Sequence, residues 1–404
     1  MSAAALAGPK PLSVTPARLD TIDLLRGIAM VLMALDHCRD WFSSATVNPV
    51  DLTQTWPALF FTRWITHYCA PAFVFLAGCS AYLYGSRGRT KRELSRFLFT
   101  RGLWLIFLEL TMVRFGWYFS FDYHYIGDAQ VIWAIGWCMV VMSALVYLPV
   151  RYVAAIGIAI ALLHNFLDGI AAKSLGGWAS LWMFVHERGV VQPAPGYTLS
   201  LAYPILSWIG IMAAGYGFGT FFRIDPRLRR KLFLTIGPAM IVFFLILRFS
   251  NVYGDMSKWA VQKNALFTLM SFLNVTKYPP SLLYALMTLG PAITFLGLWK
   301  KEHGALARPF VIFGRVPLFY YLLHLFVLHS MAIVYSWITF GSARWLFEIP
   351  ATADANFGIT PKDYGVGLPM VYVFWIMAVL ILYLPCKWFA GVKQRRRNIW
   401  LSYL

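Results

Sequence analysis

Residues 19–42 read LDTIDLLRGIAMVLMALDHCRDWF. The run is long and apolar enough to cross a bilayer, which takes about 20 residues. Yet it holds Asp23, Arg26, Asp36, His37, Arg39 and Asp40. An ionisable group inside a span costs about 2.5–3.5 kcal/mol on insertion scales, so such groups are rare and usually functional. At about 100° per residue, Asp23, Arg26, Met30, Met33, His37 and Asp40 fall on one helical face. Arg26 and His37 are separated by about 16 Å at 1.5 Å per residue. The spacing predicts one polar stripe running from one membrane surface to the other. A plainer alternative is an i,i+3 ion pair of Asp23 and Arg26, with Arg39 and Asp40 in the headgroup zone.

The rest of the chain agrees with a membrane setting. Of 404 residues, 59% are hydrophobic and 13% charged, against about 25% charged in a soluble domain. A soluble globular chain is excluded. The aromatic share of 17% suits interfacial Trp and Tyr belts. A net charge of +18 would suggest nucleic acid in a soluble protein. Here the positive charges cluster between apolar runs, which is a topology signal. The expected partner is membrane lipid, not nucleic acid. Cys38, Cys69, Cys79, Cys138 and Cys386 form no CxxC pair and no zinc spacing. They read as small packing residues.

Apolar segments of spanning length recur near 20–42, 57–85, 97–121, 130–149, 153–171, 200–222, 232–249, 280–299, 309–339 and 367–390. Only helices and closed barrels satisfy their backbone in lipid. The expected fold is therefore all-α, a polytopic membrane helical bundle of about ten transmembrane helices. Basic residues follow every second span: Arg87–Arg96, Arg151, Arg223–Lys231, Lys300–Arg308 and Lys387–Arg397. The positive-inside rule puts both termini in the cytoplasm. Residues 1–18, broken by Gly8, Pro9 and Pro11, read as a flexible cytoplasmic tail rather than a signal peptide. Residues 19–392 read as the membrane domain, and 393–404 as a basic cytoplasmic tail. The long outer loops, near 171–199, 250–279 and 340–366, read equally well as functional loops or interfacial caps.

Several polar residues are placed to do chemistry. His37 has Asp36 beside it and Asp40 about one turn on; His67 shares a face with Arg63. A short loop joins the two spans, which brings these groups together at one depth. Imidazole can serve as a general base, oriented by a carboxylate. Lys277 and Ser281 flank Pro279 and Pro280 at a helix start, a good place for an anion or a developing oxyanion. Arg315, Tyr320 and His324 face a common interior if the ninth span is regular beyond Pro317. No ligand spacing suggests a metal.

These segments resemble a known family. LDTIDLLRGIAMVLMALDH is similar to the opening motif of heparan-α-glucosaminide N-acetyltransferase-like membrane proteins, within the transmembrane acyltransferase superfamily. HYCAPAFVFLAGCSAYLY (67–84) resembles their second-span motif. GDAQVIWAIG, TKYPPSLLYALMTLGP and GRVPLFYYLLH resemble later blocks in the same order, and the likeness is nearest to a bacterial branch (the DUF1624 type). The resemblance implies transfer of an acyl group from cytosolic acyl-CoA to an amino or hydroxyl group across the membrane. It implies a catalytic histidine toward the far side. In the glucosaminide enzymes that histidine lies in the first outer loop, where SSATVNPVDLTQTW (43–56) has none. The role then passes to His37 or His67.

The expectation is an acyl-CoA-dependent O- or N-acyltransferase of a bacterial inner membrane. Its donor is acyl-CoA, acetyl-CoA first, and its acceptor a hydroxyl or amine of an envelope sugar or glycolipid. His37 or His67 acts as base with Asp36 or Asp40 orienting it. Asp23, Arg26, Arg315 and His324 serve the donor, Arg26 by its phosphates. Arg63, Lys277 and Ser281 hold the acceptor or oxyanion. An oligomer is compatible with this reading. The alternative is a transporter of a sugar or lipid intermediate.

Overall fold

The computed structural model describes residues 20–299, 304–349, 358–396 and 401. The expected tail at 1–18, together with Lys300, Lys301, His303 and Arg397, lies outside the described residues. The chain is mostly helical. In order come α1 (Asp20–Phe42), α2 (Pro57–Thr66), α3 (Cys69–Gly85), α4 (Lys91–Leu108), α5 (Arg114–Tyr118), α6 (Val131–Leu145), α7 (Val150–Leu163) and α8 (Ala179–Val185). Then follow α9 (Ile205–Phe218), α10 (Pro226–Ser250), α11 (Ala265–Leu273), α12 (Leu282–Leu298), α13 (Gly304–Arg315), α14 (Pro317–Phe340) and α15 (Leu368–Arg395). Each expected span falls on one helix or on a broken pair. By length and composition, six stretches among the described residues can cross a membrane: Pro57–Gly85, Val150–Leu167, Ile205–Arg223, Pro226–Ser250, Pro317–Phe340 and Leu368–Arg395. α6 and α12 are shorter apolar helices. α15 runs past the boundary expected at 392 and ends at Arg395.

Two expectations need correction. The fold is not purely α. Strands β1 (Tyr125–Asp128), β2 (Gly189–Ala194) and β3 (Tyr197–Leu201) form a small sheet in the order β1-β3-β2. β3 pairs parallel to β1 and antiparallel to β2. Such short strands carry almost no periodicity, and Gly196 (φ +80°) makes the turn between the last two. The expected ninth span is also not one regular helix. Val316 (φ −130°, ψ 49°) interrupts it, because proline disfavours helical geometry in the residue before it.

The principal helix pairs are α10 with α12, α4 with α6, α7 with α9, α1 with α13 and α3 with α9. Glycines lie at each crossing, where small residues let backbones approach closely. At the α1–α13 crossing, a Cβ on Gly27 would lie 1.8 Å from the Phe310 carbonyl oxygen, and one on Gly314 would lie 1.7 Å from that of Asp23. No side chain larger than hydrogen fits between these two backbones.

Cross-links between loops define two ends of the bundle. Lys91 donates to the Tyr147 carbonyl, and Arg223 Nη1 to that of Ser86 (3.5 Å). Three basic connections therefore share one end. At the other end, Asn274 Nδ2 donates to the Val50 carbonyl (3.0 Å), Tyr253 Oη to that of Leu162 (2.6 Å), and Leu282 N to Asn165 Oδ1 (2.9 Å).

Candidate active site

At that second end a cavity of about 260 Å³ opens beside the last turns of α1. Its wall includes Asp36, His37, Arg39, Asp40, Arg63, Asp128, Arg188 and Lys277, together with Trp117, Tyr203 and Tyr278. The end of α1, α2 and the start of α3, the α5 turn, the sheet and the loop before α12 all contribute.

His37 makes the site's most telling contact. Its Nδ1 lies 2.7 Å from Nε2 of His324, a residue of α14 fully buried in the core. The other nitrogen of His324 bonds the Tyr321 carbonyl. A carbonyl oxygen only accepts, so His324 Nδ1 carries a proton there. In the neutral ring Nε2 is then the acceptor. It follows that His37 Nδ1–H is the donor, and the lone pair of His37 resides on Nε2. Because His37 lines the cavity, this leaves a base of fixed tautomer at its wall. The Trp117 ring meets His37 edge-on at 5.0 Å and stacks on Trp41 at 4.4 Å, which confines the imidazole.

The remaining wall is strongly charged. Arg63 bonds Asp36, and Arg39 lies 3.2 Å from Asp36 and 2.5 Å from Asp40. Both carboxylates are thus held by guanidinium groups. Asp128 accepts from Tyr118 Oη (2.9 Å) and Tyr125 Oη (2.8 Å). Among the described residues Lys277 makes no ion pair; its ammonium lies 5.0 Å from the Tyr278 ring centroid.

The loop bearing Lys277 is assembled by two buried charges. Arg248, at the end of α10, donates to the carbonyls of Phe272 (2.8 Å), Ser257 (2.6 Å), Ser271 (2.9 Å) and Asn274 (2.8 Å). Asp255 accepts from Ser257 N (2.7 Å), Thr276 N (2.8 Å), Thr276 Oγ1 (2.8 Å) and Ser281 Oγ (2.5 Å). These bonds satisfy backbone that would otherwise be buried unpaired. They fix Lys277 and Tyr278 against the cavity.

A second cavity, of about 410 Å³, lies at the opposite end of α1, walled by Asp20, Arg308, Arg315, Lys387 and Gln394 among others. Arg315 pairs with Asp20 at 3.2 Å. Asp20 and His37 are about 25 Å apart along α1 at 1.5 Å per residue. The two cavities share no wall residue. Met30, on the same face and between them, is buried at 5% exposure. The expected stripe is therefore divided into two halves, with apolar packing between.

A model of the family described as heparan-alpha-glucosaminide N-acetyltransferase, catalytic, matches residues 18–253. The chain belongs to this family. No curated protein matches it. The heparan-alpha-glucosaminide N-acetyltransferase family and the six membrane-competent helices make this an integral membrane protein of acetyltransferase type. The matched segment holds His37, Asp40, Arg63, Asp128 and Arg188, whereas Lys277 and His324 lie beyond it.

The structure brings His37, Asp36, Asp40, Arg63 and Lys277 to one cavity. It separates His324 from Asp23, Arg26 and Arg315, with which it was grouped: His324 meets His37 toward the far end of α1, whereas Arg26 and Arg315 gather with Asp20 and Asp23 at its start. Neither carboxylate bonds His37; its partner is His324. His67 is not in the cavity wall. It is buried, and its ring faces Tyr284 at 5.7 Å. Ser281 is a scaffold residue here: it caps α12 by accepting from Tyr284 N (3.0 Å) and bonds Asp255. Arg26 is engaged internally, with Ser80 Oγ (2.9 Å), the Gly314 carbonyl (3.2 Å) and Asp23 (3.4 Å). Sequence reasoning missed Asp128 and Arg188 as wall residues. Asp128 stands in the quoted GDAQ block, which was a usable signal; Arg188 offered none.

Proposed function

We propose that this protein transfers an acyl group, acetyl first, from cytosolic acetyl-CoA to a hydroxyl or amine of an envelope sugar bound in the cavity beside His37. Acetyltransferases of this family type use acetyl-CoA as donor. The observation that carries the site assignment is the His37–His324 contact at 2.7 Å, which leaves a lone pair on a cavity-wall imidazole. In the step, His37 Nε2 takes the proton from the acceptor O–H or N–H as that atom attacks the thioester carbonyl. The tetrahedral intermediate collapses by breaking the C–S bond. The imidazolium returns its proton to the departing thiolate, giving the acetylated acceptor and CoA thiol. Lys277 is the cation available to the oxyanion, a preorganised charge of the kind that dominates acyl-transfer catalysis.

The basic cavity at the other end suits the donor's phosphates, with Arg308, Arg315 and Lys387 as the binding groups. Met30 and Met33 close the interval between the cavities. Unbranched thioether side chains adapt readily, and their movement would open the way for a pantetheine arm. This reading goes with ten crossings, both termini in the cytoplasm and a bacterial inner membrane. The shared end of three basic connections supports that orientation. The exposed Leu380, Leu384 and Trp388 of α15 suit contact with lipid.

The test is thiol release from acetyl-CoA by purified protein in detergent, with amino and hydroxyl sugars as acceptors. His37→Ala should lower the rate by about 10²–10⁴-fold, the usual contribution of a general base. A folded variant of wild-type rate would sink the assignment. Movement of substrate in liposomes without thioester turnover would favour a transporter instead.

A further inference from the structure

The connection between α7 and α9 gathers a second set of chemistry-bearing side chains, apart from the histidine pair. His164 begins the 3-10 turn His164–Leu167 that ends α7; Asp168 follows that turn, and His186 follows α8. One donor atom from each lies within 4.8 Å of the others. His164 and His186 are each 3% exposed, with rings edge to face at 5.8 Å. His186 Nε2 lies 3.0 Å from Asp168 Oδ1, and the other Asp168 oxygen accepts from Asn165 Nδ2 at 2.8 Å. Nδ1 of both imidazoles is buried without a hydrogen-bond partner. Buried polar groups are almost always met by a partner, and two unmet ones in a single cluster call for something to meet them.

We propose that His164, Asp168 and His186 bind a divalent transition-metal ion of the zinc class, as a staple for the segment 164–188. Two imidazoles and one carboxylate are an accepted zinc donor set, with a fourth position left for water. Bonds of about 2.0–2.2 Å require the donors to draw in to about 3.4 Å from one another. Asn165 orients the carboxylate from outside, as outer partners of metal ligands do. The same Asn165 accepts from Leu282 N at the start of α12 (2.9 Å). Arg188, two residues beyond His186, lines the candidate active site. The ion thus ties the end of α7 to the start of α12 and to Arg188, the residue just before β2. The proposal stands whether or not the acetyl-transfer reading holds.

The experiment uses the full chain in detergent, free of any histidine tag, loaded with Zn2+, dialysed and assayed for metal by mass spectrometry. Wild type should retain about one ion per chain, and Asp168→Asn and His186→Ala at least about tenfold less. Zn2+ should raise Tm in wild type alone. Co2+ in place of zinc should give the strong visible absorption of a four-coordinate site. If His186→Ala fails to fold, Asp168→Asn and the wild-type Co2+ spectrum decide. The proposal is overturned if wild type keeps under a tenth of an equivalent. It is equally overturned if the folded variants keep as much as wild type, or if Co2+ shows only the weak absorption of a six-coordinate ion.

Discussion

His324→Leu removes the acceptor for His37 Nδ1–H and keeps the apolar bulk in a fully buried position. In the resting state that bond joins two neutral rings and contributes about 0.5–1.5 kcal/mol; once His37 is protonated it becomes charge-assisted, at about 1.5–3 kcal/mol. The difference, about 1–1.5 kcal/mol, is the part that lowers the barrier. At 1.36 kcal/mol per tenfold it amounts to about 5- to 13-fold in kcat. Loss of the fixed tautomer adds to this, so a fall of about 10- to 100-fold is expected, smaller than that of His37→Ala. His324→Gln, whose side-chain oxygen can accept, should recover part of it. Acceptor KM should change little. The assay is steady-state thiol release, with size-exclusion profiles and Tm to confirm folding. A folded His324→Leu protein with wild-type kcat, or one in which only KM moves, would refute the relay.

Further outcomes follow from other sites. Arg308→Ala and Lys387→Ala should each raise the acetyl-CoA KM about 5- to 10-fold with kcat little altered, each losing about 1 kcal/mol of charge-assisted binding; Arg26→Ala should instead lower Tm, because its partners are internal. Gly314→Leu should destabilise the fold by about 1–3 kcal/mol or more, read as a lowered Tm, since its Cβ would overlap the Asp23 carbonyl. Asp255→Ala should cost about 2–4 kcal/mol in denaturation and raise the acceptor KM, because four donors lose their partner and Lys277 loses its support. An unchanged melting curve for that variant would remove Asp255 from the account.

The positions of the helices were legible because apolar runs of spanning length leave little choice of structure in lipid. The break at Val316 was legible too, since Pro317 follows it. The sheet was not, since Tyr125–Asp128 and Gly189–Ala194 are too short and too mixed to show alternation. Local spacing found His37, Asp36, Asp40 and Arg63. It could not find the contact of His37 with His324, which are 287 positions apart. Ser281 shows the opposite failure: a helix start that looks like an anion site is already filled by the chain's own Asp255. The His164–Asp168–His186 cluster was invisible for a related reason, because α8 and its flanking turns intervene between its members.

The touching backbones of α1 and α13 have a mechanical result. With nothing compressible between them, the two helices have no slack at this crossing, while α1 itself continues from Asp20 at one chamber to His37 at the other. Any side chain added at Gly27 or Gly314 would wedge the two helices apart beside the cationic chamber, at the end of α1 remote from His37.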